Sequence, residues 1–431
     1  MKKTRNIILL AVCLFIIPLL IFIFFKTTFV SYINVKSIPV NSKTFLIVNN
    51  NIIIDEFSDY FIKNPLDGSK FYNFIKSQKL ENFSKEIAFK VNEPIACFYE
   101  EDLECWNIIL AVKNSTLEIE NISSEFINPN FKKIKTINDY SLHIFNNSKY
   151  NQLILLVGNK NISQDLVYEK TKTYFQNLDT TQHNIEVLNY LKKNKKSIVY
   201  KLKNFKFLKD VGVKNLEGTI DFKSDQINFE LSGLNEDNFL FNDDYKLITS
   251  NYGWANFSGN FNKKVLSVEP FSNLNIDSNF NGRFSLSVHQ LKQTSKINTF
   301  NSSSQLTDFM DFNLFIGNSR LNKKELKNSF SSYEISLEED YKGFCISNFK
   351  RKHKLKLMNK GFFYFKIDFE KMINQKHSEW AWNGFKIFFK KMNMNNLELK
   401  CFSKTKSEFQ LNGSLSPLDT TKNLLLSPFI Y

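Results

Sequence analysis

The stretch LEGTIDFKSDQINFEL (Leu216–Leu231) decides the reading of the fold. Leu216 to Phe222 and Gln226 to Leu231 flank the polar turn Lys223–Ser224–Asp225, and Ile227, Phe229 and Leu231 alternate with polar residues. A period of two places the apolar residues on one face of a pleated strand, so the segment predicts an antiparallel hairpin. The same grammar recurs toward the C-terminus. It predicts strands at Tyr252 to Phe257, Val265 to Val268, Phe284 to Val288, Phe344 to Phe349, Phe362 to Ile367, Leu397 to Phe402 and Glu408 to Leu411. Few helices are expected there, chiefly at Asp368 to Asn374 and around Leu321 to Lys327. An internal echo is also present: Asn215–Leu216–Glu217 leading to Phe229–Glu230–Leu231–Ser232–Gly233 matches Asn396–Leu397–Glu398 leading to Phe409–Gln410–Leu411–Asn412–Gly413. Duplicated hairpins would produce that pattern.

Before this region the patterning is mixed. The β-favouring run Thr44 to Val48 predicts a buried strand, and helices are expected around Asp55 to Lys63 and Ser69 to Leu80, separated by the punctuation Asn64–Pro65–Leu66–Asp67–Gly68. Strands are expected near Ser141 to Phe145 and Gln152 to Val157, then helices from Ser163 to Leu178 and Asn184 to Lys193. The fold class read from this order is α+β, rich in antiparallel sheet. The organisation is a tail (1–6), a transmembrane helix (7–25), a tether (26–38), a first α+β domain (39–208) and a second, mainly antiparallel β domain (209–431). Lysines crowd the junction from Lys192 to Lys209, where they suit a solvated helix end running into a protected edge strand.

The tail and helix rest on Ile7 to Phe25, IILLAVCLFIIPLLIFIFF, an uncharged run whose helical rise gives about 30 Å, the thickness of a hydrocarbon core. Lys2, Lys3 and Arg5 precede it, so the positive-inside rule keeps the N-terminus in the cytoplasm and exports the body. A cleaved signal peptide is the alternative; no small-x-small site follows in Lys26 to Ser31. The expected location is the cell membrane, as a single-pass signal-anchor, with the body in the periplasm.

Export places Cys97, Cys105, Cys345 and Cys401 where disulfides persist. Strands Ile95 to Tyr99 and Leu103 to Ala111, joined by Glu100–Glu101–Asp102, put Cys97 opposite Cys105 if the register is symmetrical about Glu101, making a cross-strand disulfide possible. No metal site is expected, since C-x-x-C is absent and the five histidines are scattered. No cofactor is expected either, for want of a Walker loop or a dinucleotide fingerprint. The chain carries a net charge of +14, yet only four of its 57 basic residues are arginines. Lysine lacks the planar fork that reads bases, so nucleic acid is not expected as a partner. One aromatic and ionisable cluster stands out, His377, Glu379, Trp380 and Trp382. Paired tryptophans line carbohydrate platforms, and a His with a Glu shares a proton. A core face accounts for the same residues.

The order of apolar run, short tether, Ile38–Pro39–Val40–Asn41–Ser42 and apolar strand Phe45–Leu46–Ile47–Val48 resembles uncharacterised membrane-anchored exported proteins of Bacteroidota, families of unknown function whose bodies open with an Ile-Pro-x-Asn/Asp-Ala/Ser phrase. The resemblance implies a tandem α+β body in the cell envelope and carries no catalytic residues with it. Together these readings lead to a non-catalytic membrane-anchored envelope protein that binds or scaffolds a protein, lipid or glycan partner. The alternative is a hydrolase acting on cell-envelope polymers, motivated by the His377 to Trp382 cluster.

Overall fold

The computed structural model describes residues 32–77, 90, 92–112, 126–128, 131–137, 140–147, 150–159, 163–176, 185–203, 208, 212–223, 225–235, 246–250, 253–261, 280–297, 304–318, 336–340, 343–347, 355–358, 361–374 and 387–427. The apolar run Ile7 to Phe25 lies outside them, as do Val265 to Val268 and Leu321 to Lys327. Among the described residues no helix is long and apolar enough to cross a membrane. The chain divides into two compact units, Met1–Ser58 with Lys79–Ile198, and Asp59–Gln78 with Val199–Tyr431.

The expected α+β class is overturned. Twenty strands against six short helices make the described chain mostly antiparallel sheet. Two features hid this from pattern reading. The strands at Phe126–Asn128 and Phe131–Ile137 carry no clean alternation, and the long strands Phe280–Ile297 and Ser304–Asn318 run through stretches such as His289–Ile297 that are mostly polar.

In the first unit, α1 (Ile33–Lys36) and β1 (Phe45–Val48) precede α2 (Asn50–Lys63), which starts in this unit and is followed in the second by α3 (Pro65–Ser77). Pro65 opens α3, a position where its missing N–H costs nothing, so the expected turn shrinks to Asn64 alone. Then come β2 (Ile95–Glu100), β3 (Cys105–Ala111), β4 (Phe126–Asn128), β5 (Phe131–Ile137), β6 (Tyr140–Asn147) and β7 (Gln152–Asn159), with α4 (Gln164–Gln176) and α5 (Ile185–Asn194) after them. The strands pair antiparallel in the order β1–β2–β3–β7–β6–β5–β4. Phe45, Ile47, Ala96, Phe98, Ile109, Ile154 and Leu156 share one buried face. Val35 of α1, a helix in contact with β2 and β3, is buried, as are Val187 and Leu191 of α5, and Tyr190 meets Phe45 edge to face at 6.0 Å.

The register of β2 and β3 corrects the disulfide reading. Cys97 stands opposite Ile108 and Cys105 opposite Glu100, a three-residue offset from symmetry about Glu101. An odd offset also puts the two thiols on opposite faces of the sheet. The cause is a four-residue turn, Glu101 to Glu104, instead of three. Leu103 leaves the strand to bury itself at 2% exposure, and Glu104 takes a left-handed φ of 44° to let the chain re-enter. All four described cysteines are free.

The second unit continues with β8 (Ile198–Lys203), β9 (Val213–Phe222), β10 (Ile227–Asn235), β11 (Leu247–Ser250), β12 (Ala255–Asn260), β13 (Phe280–Ile297), β14 (Ser304–Asn318), β15 (Ser336–Asp340), β16 (Gly343–Ser347), β17 (Leu355–Met358), β18 (Gly361–Asp368), α6 (Phe369–Ile373), β19 (Met394–Ser403) and β20 (Glu408–Pro417). Ten of these pair antiparallel in the order β9–β10–β20–β19–β18–β12–β13–β14–β16–β15. β11 and β17 form a separate two-stranded ribbon. Gly282 stands at an irregularity in β13 with a φ of +84°, and a Cβ there would collide with the Phe261 carbonyl, which only glycine avoids.

The sequence echo acquires a geometric meaning here. The two inner strands of the echoed hairpins, β10 and β20, pair with each other: Leu231 faces Leu411, Phe229 faces Gly413, and Gly233 faces Phe409. Equivalent residues are therefore exchanged by a local two-fold relation centred on the Leu231–Leu411 pair. Each phenylalanine leans over the glycine opposite, and the Phe409 ring occupies the space where a Gly233 side chain would stand.

Candidate functional site

Strand registers sort the second sheet into two chemically opposite faces. One cross-strand row reads Lys366, Asn256, Ser287, Asn313, and the next reads Tyr364, Ser258, Ser285, ending on β14 at the buried Phe315; the alternate rows read Phe365, Phe257, Leu286, Leu314 and Phe363, Gly259, Phe284, Ile316. Period-two alternation produces this separation, and ordinarily the apolar face would be the covered one. In this unit the order is reversed at the centre of the sheet. Ser258 is 0% exposed, and Asn256, Ser285 and Ser287 are buried, whereas Phe257 keeps 37% of its surface open.

The polar face is covered by the β11–β17 ribbon, whose Leu247, Ile248 and Thr249 are buried and whose first strand packs on β12, β13 and β18. Buried polar groups demand partners, and these have them: the Ser258 and Ser285 hydroxyls share a 2.8 Å hydrogen bond, and Ser287 donates to Asn256 Oδ1 at 2.8 Å. Arg283, also buried, donates from Nη2 to the Lys246 carbonyl at 3.3 Å and lies 5.4 Å from the Phe315 ring centroid, which holds the start of the ribbon down.

The apolar face is packed at its flanks and open between them. At one flank Phe369, Met372 and Ile373 of α6 pack with Ile367, Leu397 and Leu415; at the other, Leu208, Val213, Phe362, Cys401 and Phe409 form a buried cluster. Asp368 caps α6 by accepting the Lys371 N–H at 2.8 Å, which fixes where the first flank ends. Between them Phe257 meets Phe284 at 5.2 Å, Phe363 at 5.5 Å and Phe365 at 6.1 Å between ring centroids. Phe284, Phe363, Phe365, Leu286 and Leu314 are only half-buried. The first unit independently repeats the feature: Leu46, Ile95, Tyr99, Trp106, Ile108, Leu155 and Val157 line the second face of its sheet, all half-buried.

Between the ribbon and the polar face of β12, β18 and β19 lies a cleft of about 420 Å³, lined by Thr249, Asn256, Tyr364, Lys366, Lys371, Glu398 and Lys400 together with Gly253, Leu357 and Met358. Tyr364 donates to Glu398 Oε1 at 3.0 Å, and Lys400 reaches Glu398 Oε2 at 3.0 Å. Burial foremost, then the Glu398 charge and the hydrogen bond to it, push the Tyr364 phenol well above its ordinary value. Burial likewise raises the Cys97 and Cys105 thiols to about 12, with the Glu100 charge adding to the effect at Cys105. A thiol so shifted is a packed apolar group, not a nucleophile.

Of the residues singled out from sequence, His377, Glu379, Trp380 and Trp382 lie outside the described residues. Cys97 and Cys105 are brought to neighbouring strands but not together. Among the described residues no group of His, Cys, Asp and Glu is placed to hold a metal ion. Pattern reading missed Tyr364, Lys366, Glu398 and Lys400. The available signal was the alternation of charged and tyrosyl positions with Phe and Leu in FFYFKID (Phe362–Asp368) and NLELKCF (Asn396–Phe402), which marks a polar face without saying what lies over it.

No family model and no curated protein matches the chain. Among solved structures, crystal form III of TP0453 aligns with a TM-score of 0.28 and 9% identity, covering 47% of this chain and 79% of that one. Crystal form IV of TP0453 aligns with a TM-score of 0.26 and 6% identity, over 47% and 80%. Likenesses this slight carry no argument about fold or function.

Proposed function

We propose that this is a non-catalytic, membrane-anchored envelope protein that binds lipid, taking acyl chains against its aromatic sheet face. The observation that carries the reading is the reversed burial of the second sheet, with serines and asparagines sealed away and Phe257 and its neighbours open. An open apolar face of this kind marks a binding surface, and each methylene seated on it contributes about 0.8 kcal/mol. The face around Phe257 presents phenylalanine, leucine and isoleucine with no side-chain donor or acceptor, which suits a methylene chain better than a peptide or a glycan. The setting rests on the sequence: the run Ile7 to Phe25 behind Lys2, Lys3 and Arg5 supports an anchor with the body outside the cytoplasm, and the phrase Ile38–Ser42 supports a bacterial envelope.

A fluorescent polyene fatty acid titrated into the delipidated full chain tests the binding. Saturable binding is expected, weakened at least tenfold when Phe257→Asn and Phe365→Asn are combined; both sites are partly open, so circular dichroism should show an unchanged fold. Absent binding, or binding indifferent to the two substitutions, rejects the acyl-chain reading. A reporter fused after Tyr431 tests the setting separately, and activity in the cytoplasm would reject the anchored topology.

A further inference from the structure

We propose that the cleft between the β11–β17 ribbon and the polar face of β12, β18 and β19 is a binding site for a phosphate-bearing ligand, independent of the acyl-chain reading.

Lys366 stands directly opposite Glu398, and Tyr364 directly opposite Lys400. Those facing pairs would be the expected partners, yet the bonds run otherwise. Each carboxylate oxygen of Glu398 already has one partner, Oε1 the Tyr364 hydroxyl on the diagonal and Oε2 the Lys400 ammonium two residues along its own strand. Lys371 spends one donor on Asp368 at 3.0 Å. Lys366 is left with no ion-pair partner among the described residues, although it lines the cleft.

The charges lining this cleft and bonded to its lining, three ammonium groups against Glu398 and Asp368, leave an excess of one positive charge concentrated at Lys366. A lysine is a compact cation with three rotatable donors, and Lys371 and Lys400 each keep two donors beyond their ion pairs. Such a set satisfies a tetrahedral oxyanion, with Thr249 and Asn256 adding a hydroxyl and an amide. The cleft volume falls within the range of small-ligand sites and exceeds a bare phosphate, so the ligand carries further atoms against Leu357 and Met358. The same chemistry is offered by a soluble phosphorylated molecule and by a phospholipid headgroup.

Inorganic phosphate is the first probe, titrated into the full chain by calorimetry with chloride at matched ionic strength as the control. Saturable binding above the chloride background is expected, weakened at least tenfold in Lys366→Gln and retained in Lys366→Arg, with circular dichroism confirming the fold. Vesicles of phosphatidylglycerol, compared with phosphatidylcholine, form the second arm. Vesicle binding that phosphate displaces and Lys366→Gln weakens supports the site with a headgroup as its source. Phosphate binding that depends on Lys366 while vesicle binding does not supports it with a soluble source. If neither phosphate nor vesicles bind in a manner dependent on Lys366, the proposal is overturned.

Discussion

Gln152 stands at the junction where α1 is fastened to the first sheet, and replacing it with methionine isolates what that fastening contributes. The side chain is 0% exposed. Its Nε2 donates to Asn34 Oδ1 at 3.2 Å and to Ser37 Oγ at 2.8 Å, while its Oε1 accepts from Asn147 Nδ2 at 3.2 Å. Asn34 in turn donates to the Pro94 carbonyl at 2.8 Å, and Ser37 to the Ile33 carbonyl at 2.8 Å. Gln152→Met keeps the length and nearly the volume, so little cavity opens. It leaves Asn34 Oδ1 and Asn147 Nδ2 buried without these partners. An orphaned buried polar group costs about 1–3 kcal/mol, and Ser37 keeps its donated bond, so the two orphans together predict a loss of about 2–6 kcal/mol. Because the chain has two units, a global unfolding midpoint mixes them. Amide exchange read by mass spectrometry on peptides from β6 and β7 reports the first unit alone. Those peptides should exchange at least thirtyfold faster in the variant, and peptides from β19 and β20 should not change. Protection in β6 and β7 within threefold of the parent would show that the network is not worth what its geometry implies.

Gly282→Ala should destabilise the second unit by about 1–3 kcal/mol or more, because alanine must hold a φ of +84° beside the Phe261 carbonyl; urea unfolding of the full chain, followed by exchange in β12 and β13, checks this. Cys97 and Cys105 should resist iodoacetamide at pH 8 until the protein is denatured. Their folded pKa of about 12 lies above the unfolded value, so both states hold the proton at low pH and only the unfolded one releases it as pH rises; mass spectrometry of native and urea-treated samples reads the difference. Full alkylation in the native state would contradict the burial of the two thiols, and an intact mass showing a Cys97–Cys105 bridge would contradict the register of β2 and β3.

The hairpin Leu216–Leu231 was legible because its information is local. Alternation at period two and a polar turn are properties of one short segment, and β9 and β10 form there. The strand at Phe45–Val48 and the helices near Gln164 and Ile185 were legible for the same reason. The echo between Asn215 and Asn396 was visible too, but that its inner strands pair about Leu231 and Leu411 could not be read, since nothing in either hairpin names its neighbour. The Cys97 and Cys105 register failed at one residue: whether Leu103 continues the strand or dives into the core depends on the space beneath it, and that choice moved every cross-strand pair and put the thiols on opposite faces. The candidate sites show the same division. Sequence alternation determines that Lys366 and Phe365 point to opposite sides of a strand. Which side is sealed is decided by where a distant ribbon, Leu247–Ser250 with Leu355–Met358, finds its apolar contacts, and by placing it over the serines the tertiary structure leaves the phenylalanines open and sets the lysines along a solvent-open cleft.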